Sequence, residues 1–140
     1  MRSSGVRSAI VSVVEGASVD ATAGGRDKFV HVDTGGRELE QAPDRVFRAT
    51  LTQPPRRTNY LTLDAYVVEY TVDLYYTPTK QVEDRIAADC EQVSYDLATL
   101  NQQDAEIMVA EVQSGSVLEL DNLLVARIPV LVTYRLTGVT

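Results

Sequence analysis

Two long segments of alternating residues constrain the fold of this chain more than any other feature. In the segment 63–76 every even position from Tyr66 onward is apolar or aromatic, and the even positions of 122–136 are apolar or aromatic from Leu124 onward. Successive side chains of a β-strand point to opposite faces, so this alternation predicts two long strands that bury their even face. Pro129 lies on the opposite face of the second strand and lacks a backbone N–H, which predicts an edge strand or a bulge there.

Five of the seven tyrosines lie between Tyr60 and Tyr76. By parity Tyr66, Tyr70 and Tyr76 belong to the core face of the first strand, whereas Tyr75 lies on its other face. A platform that stacks nucleic-acid bases needs exposed rings beside a basic groove. The inward parity of three rings and the net charge of −7 argue against that function. Tyr60 and Tyr75 remain as candidates for contact with another protein chain.

Two further segments have the period of amphipathic helices. Apolar residues recur at helical spacing over 3–17, with Ser3 or Ser4 as the expected N-cap and Gly16 near the expected end. A second run of apolar residues from Val82 to Leu100 predicts a helix of about six turns.

The second helix should begin with Thr79 as its N-cap, directly after Pro78. Cys90 falls inside its apolar stripe and is expected to act as a small buried hydrophobe.

The remaining segments divide into strands and loops. Alternation predicts strands at 45–52 and 105–115, whereas the two prolines of 53–59 predict an exposed connector that cannot belong to a sheet. The segment 18–44 has two Gly-Gly pairs and is expected to be a long loop or insertion, with a possible short strand at 28–32.

Pairs of strands separated by a helix predict an α+β fold. We expect an antiparallel or mixed sheet of about four to five strands, with one long helix packed on it and an N-terminal amphipathic helix. The 140 residues are the length of one domain, 1–140. The chain has no run of about 18 apolar residues, so we expect no membrane span.

The residues that usually carry catalysis or bind metals are scarce. His31, the single histidine, has Asp33 two positions later, and this pair leaves open a small α+β enzyme that uses His31. No serine or cysteine stands in a recognisable nucleophile motif, and the glycine pairs lack the spacing of a nucleotide-binding loop. We therefore expect no catalytic residue, no cofactor and no metal site.

Charge is distributed unevenly along the chain. The segment 45–57 has four arginines and no acidic residue, whereas 79–106 has seven acidic residues against two basic ones. These charges could pair within one molecule. Alternatively, the basic edge of one subunit could meet the acidic edge of the next, a heterologous contact that can close into a ring.

The order of these elements resembles a known family. The strand "VEYTVDLYY", the acidic helix and the closing strand "ARIPVLVTYRL" resemble the tail-terminator proteins of long-tailed bacteriophages and related head–tail joining proteins, over residues 3–17 and 45–137. The resemblance implies a non-enzymatic virion protein of the tail and neck, assembled in the host cytoplasm. It implies a homohexameric ring that caps the tail tube, ends tube polymerisation and joins head-completion proteins, while DNA passes through the lumen without specific binding.

Charge and parity, together with that function, select candidate residues for subunit or tail-tube contacts. Their positions are in the connector, on the outer face of the strand and on the acidic helix: Arg56, Arg57, Tyr60, Tyr75, Glu83, Asp84 and Glu91. The alternative within the same virion is another connector, such as a head-closure or tail-completion protein.

Overall fold

The computed structural model describes residues 1–19, 27–32, 44–61 and 63–135. Its helices are α1 (Ser3–Glu15), α2 (Val82–Ala98) and α3 (Leu100–Gln103). Its strands are β1 (Val30–His31), β2 (Asp44–Tyr60), β3 (Leu63–Tyr76), β4 (Ile107–Val112), β5 (Ser116–Leu120) and β6 (Leu123–Tyr134). In the part of the chain that is described, none of the helices has the length and apolar character of a membrane span.

The strands form one mixed sheet, which confirms the predicted α+β fold. The strand order is β1-β2-β3-β6-β4, and β5 pairs with β6 beyond the end of β4. Among the described strands, β1 alone is parallel to its neighbour, and the other pairs are antiparallel. The predicted loop over 18–44 lies mostly outside the described residues, apart from β1 within it.

The even face of the two long strands is the core face, as predicted. β3 and β6 pair without interruption from Tyr66 opposite Tyr134 to Tyr76 opposite Leu124. Their even residues pack with the apolar stripes of α1 and α2 in the main core. We call this the helix face of the sheet, and the opposite one the outer face.

The helix starts differ from the predicted ones. Arg2, in extended conformation, precedes α1, and neither Ser3 nor Ser4 is its N-cap, whereas the end at Gly16 is confirmed. Gln81 precedes α2 with a left-handed φ of 68°, so the prediction of Thr79 was wrong. The Thr79 carbonyl accepts a hydrogen bond from Val82 N at 3.3 Å, and this turn delays the helix.

The prediction that 53–59 cannot belong to a sheet was wrong. β2 runs through Pro54 and Pro55 to Tyr60 and remains paired with β3. The strand accommodates the prolines through two register shifts, one between Leu51 and Gln53 and one between Gln53 and Arg56. In the part of the chain that is described, the other edge of β2 pairs with β1 at 46–47, and a strand edge without a partner strand tolerates missing N–H donors.

The prediction that β6 is an edge strand or is bulged at Pro129 was also wrong. β6 is central, and Pro129 stands in regular register opposite Thr71. The Pro129 carbonyl accepts a hydrogen bond from Gln113 N at 2.8 Å. The N–H and C=O of one strand residue point to the same neighbouring strand. The N–H that Pro129 lacks would therefore point to the side of β4 and β5, at the place where β6 changes partner from one to the other.

Candidate functional site

The seven residues predicted to form an interface lie on three separate parts of the molecule. Three are at the far end of β2, one is on the outer face of β3 and three are on α2. The structure brings two of the α2 residues together with an acidic residue of β5.

The far end of the β2–β3 hairpin is an exposed arm, which we define as residues 51–61 and 64–67. The residues of β2 from Thr50 to Arg57 are all exposed, whereas the start of the strand is buried. Arg57 forms an ion pair with Asp64 at 3.0 Å, and the hydrogen bond from this contact raises the pKa of Arg57. Leu61 at the tip is 77% exposed and has a φ of 50°. The arm therefore presents an exposed leucine at its tip and two exposed arginines, Arg56 and Arg57, further back along β2.

Tyr60 is half-buried on the outer face of the sheet. It lines a shallow cavity of about 220 Å³ together with Arg56, Val67 and Leu131. Part of the ring is exposed and available for contact, as the prediction requires. The rest of it lies against the outer face of its own sheet.

Tyr75 lies on the predicted face but is not exposed. It is 7% exposed and packs with Val46 and Val125 in a second apolar cluster on the outer face. The Arg48 guanidinium lies 5.8 Å from the ring centroid, and burial raises the pKa of the Tyr75 hydroxyl. The ring is thus covered within the molecule, because parity gives the face of a residue and not what covers that face, and the selection of Tyr75 as a contact residue stays a prediction.

A row of charges crosses the outer face next to this cluster. Arg48, Asp73 and Arg127 stand opposite one another on β2, β3 and β6. Arg127 Nε lies 3.2 Å from Asp73 Oδ1. Burial raises the pKa of Asp73, although both arginines act in the opposite direction. The Asp73–Arg127 pair links β3 to β6, and Arg48 of β2 stands on the other side of Asp73.

A groove of about 520 Å³ lies between α2 and β5, which we call the α2–β5 groove. Ile86, Leu124 and Ile128 contribute apolar lining, and Val117 of β5 lines it while 56% exposed. Cys90 also lines the groove, and burial raises the pKa of its thiol to about 11. A thiol with that pKa is almost fully protonated near neutral pH, which fits the predicted role as a small hydrophobe.

The groove continues into an acidic end. A neighbouring cavity of about 420 Å³ shares Glu83 and Leu124 with it and is also lined by Asp84 and Glu119. The structure thus places the predicted Glu83 and Asp84 beside Glu119, which the sequence did not single out. Glu91 is exposed on α2 but lines neither cavity.

One ion pair between the basic segment 45–57 and the acidic segment 79–106 is buried inside the molecule. Arg45 is fully buried and donates hydrogen bonds of 2.9 and 3.0 Å to the carboxylate of Asp89, which is 2% exposed. The Tyr76 hydroxyl donates to the same carboxylate at 2.7 Å, and burial raises the pKa of that hydroxyl. Arg85 pairs with Asp44 nearby. Intramolecular pairing therefore accounts for part of the charge asymmetry, while Arg56 and Arg57 on the arm and Glu83 and Asp84 at the acidic end of the groove line the surface.

Two further expectations concern His31 and metal binding. His31 packs against Phe47 with ring centroids 5.1 Å apart, and Asp33 lies outside the described residues. Among the residues described, no group of three His, Cys, Asp or Glu side chains could hold a metal ion.

Comparison with known proteins adds no assignment. No protein-family model matches this chain, and no curated protein matches it.

Proposed function

We propose that this protein is a structural virion protein of a long-tailed bacteriophage that forms a ring on the end of the tail tube. The ring stops further polymerisation of the tube and provides the surface that head-completion proteins join. DNA passes through it without specific binding, and the net charge of −7 per subunit suits a lumen that does not hold phosphates.

One observation supports the ring above the others. The basic arm and the acid-ended groove lie at opposite ends of the long strands, because β3 starts at the arm and ends at Tyr76 beside α2 and the partners of β5. Two complementary surfaces at opposite ends of a protomer suit head-to-tail association, which closes into a ring when the rotation allows.

The mechanism of length control follows from such a ring. The growing end of a tube exposes the contacts that the next ring of tube protein would occupy. A ring with one face that fits this end and a different opposite face removes that site and ends growth. No cofactor or reacting group is required for this step.

The direct test uses the purified tail-tube protein of the same virus. In its presence, the chain should give shorter tubes that carry a ring at one end, seen by electron microscopy, and a hexameric mass by light scattering on the tube or in solution. Unchanged tube lengths together with binding to the portal side would instead indicate a head-closure or tail-completion protein. A monomer that binds neither tube nor neck proteins would contradict the proposal.

Charge reversal at the arm tests the contribution of the candidate residues. The double variant R56E/R57E should weaken ring assembly or tube capping, because it changes the formal charge of the basic arm by −4. The matched control is R2E/K28E, which makes the same charge change at two exposed positions outside the arm and the groove. Equal assembly and normal tube length for both double variants would remove the arm from the proposed interface.

A further inference from the structure

We infer that the tip of the arm of one protomer seats in the α2–β5 groove of a second copy, with Leu61 in the apolar part and Arg56 and Arg57 towards the acidic end. This inference rests on the proposed ring and names the contact that would build it.

Leu61 is unusual in both its exposure and its backbone. It is 77% exposed at a hairpin tip and has a φ of 50°, a region that leucine rarely adopts. Single exposed apolar residues are ordinary on protein surfaces. Leu61 differs because the arm carries it away from the core, where a partner can enclose it from several sides.

The groove is able to take such a side chain. Its volume of about 520 Å³ exceeds that of one leucine side chain several-fold, so the flanking backbone of a hairpin tip can enter as well. Val117 leaves more than half of its surface exposed on one wall, and small residues such as Ala87 and Gly115 line the groove. A Cβ on Gly115 would lie 2.4 Å from the Arg127 carbonyl oxygen, so this wall requires glycine to stay against β6.

An arm that occupies the groove must come from another molecule. Leu63 and Tyr75 are twelve residues apart along β3, which is about 40 Å in an extended strand. β5 pairs with the part of β6 that lies opposite the far end of β3, so the arm cannot reach the groove of its own protomer. A second copy supplies the tip, and because the two surfaces differ, the contact repeats from copy to copy.

Charge fixes the orientation of the tip in the groove. The acidic end has Glu83, Asp84 and Glu119, whereas the arm has Arg56 and Arg57 against the single acid Asp64. Opposite potentials on the two surfaces favour this register and disfavour association of two tips or of two grooves.

Cysteine crosslinking tests the contact directly. In a C90S background, the variant L61C/V117C should form covalent oligomers between copies when treated with a short bis-maleimide under conditions where the protein is a ring. The control L51C/V117C uses another exposed leucine of the arm and should give few crosslinks. Crosslinking of L61C alone would indicate tip-to-tip contact and would overturn the inference.

A charge exchange gives a second, independent reading. R56E/R57E should raise the concentration needed for assembly by about tenfold or more, as expected for several weak surface pairs acting together. Adding E83K/D84K to that variant should restore assembly to within about threefold of the original protein. Failure of this rescue, with both parent variants folded by circular dichroism, would count against the inference.

The two levels of the proposal fail differently. A ring that still caps tubes but gives no L61C/V117C crosslinks overturns the docking contact and leaves the proposed function standing. A chain that neither self-associates nor binds tube ends overturns the proposed function itself.

Discussion

At the scale of single residues, Arg45 shows how a local irregularity sets a buried contact. The register between β2 and β3 shifts between Asp44 and Val46, so Arg45 is the extra residue of a bulge, with a φ of 52°. A bulge re-aims the side chain of its extra residue. Here it directs the guanidinium to the helix face, where it donates to the Asp89 carboxylate, which also accepts from the Tyr76 hydroxyl.

Removing one partner of this pair should be strongly destabilising. D89N keeps the shape of the side chain but removes the carboxylate charge that pairs with the buried Arg45, so we expect a loss of about 3–5 kcal/mol in the free energy of unfolding. Urea denaturation followed by circular dichroism measures this loss. The control E91Q alters an exposed acid two residues along the same helix and should stay within about 0.5 kcal/mol. Similar midpoints for D89N and E91Q would show that the buried pair does not hold α2 to the sheet.

At the scale of secondary structure elements, β2 combines two roles along its length. Its first part is buried and carries Arg45 and Phe47 into the core, while its second part is exposed and forms one strand of the arm. Pro54 and Pro55 lie in this second part, where β3 is the partner on one side only in the part of the chain that is described. Prolines and bulges on an edge are a common defence against unintended strand addition.

Restoring backbone donors to this edge should therefore promote aggregation. In the double variant P54T/P55T two N–H groups appear on an exposed strand, and we expect larger particles by light scattering at concentrations where the original protein is a defined oligomer. Q53T is the matched control, since position 53 already has its N–H and lies on the same strand. An unchanged size distribution for P54T/P55T would mean that the prolines serve only the shape of the arm.

At the scale of the whole molecule, the placement of the arm and the groove distinguishes head-to-tail association from two-fold pairing. In a head-to-tail ring each copy uses its tip once and its groove once, so the two surfaces can be blocked separately. In a two-fold dimer of tips, by contrast, a blocked groove would have no effect.

This difference predicts a complementation result. L61D should block the tip and V117E the groove, so each variant alone should be monomeric by analytical ultracentrifugation. An equimolar mixture should form dimers but no closed rings, because the intact tip of V117E meets the intact groove of L61D and the other two surfaces remain blocked. Dimers of V117E alone, or rings in the mixture, would contradict a head-to-tail contact.

The parts of the fold set by residue period could be predicted from the sequence. Alternation identified β3 and β6 and their core face, and helical spacing identified α1 and α2. Both patterns are consequences of local geometry that each residue imposes on the next. The end of α1 at Gly16 was predicted for the same reason.

The errors arose where partners decide the outcome. Without the fold, Pro54 and Pro55 argue against a strand, whereas in the structure an open edge and two bulges accommodate them. Pro129 argues for an edge strand, whereas in the structure it stands where β6 changes partner from β4 to β5. The exposure of Tyr75 depended on which neighbours cover its face. Glu119 joined Glu83 and Asp84 through a strand that the sequence had not indicated.

The sequence by itself determined the α+β class, the inward face of the long strands and the uneven distribution of charge, because these depend on residue types at fixed spacings. Only the tertiary structure decided which charges are buried as a pair and which remain on the surface. Arg45 and Asp89 are far apart in sequence and meet through a bulge and a packed helix, a contact that no local pattern encodes. Tertiary packing likewise decided which residues form the exposed arm and the acid-ended groove and which residues form the core.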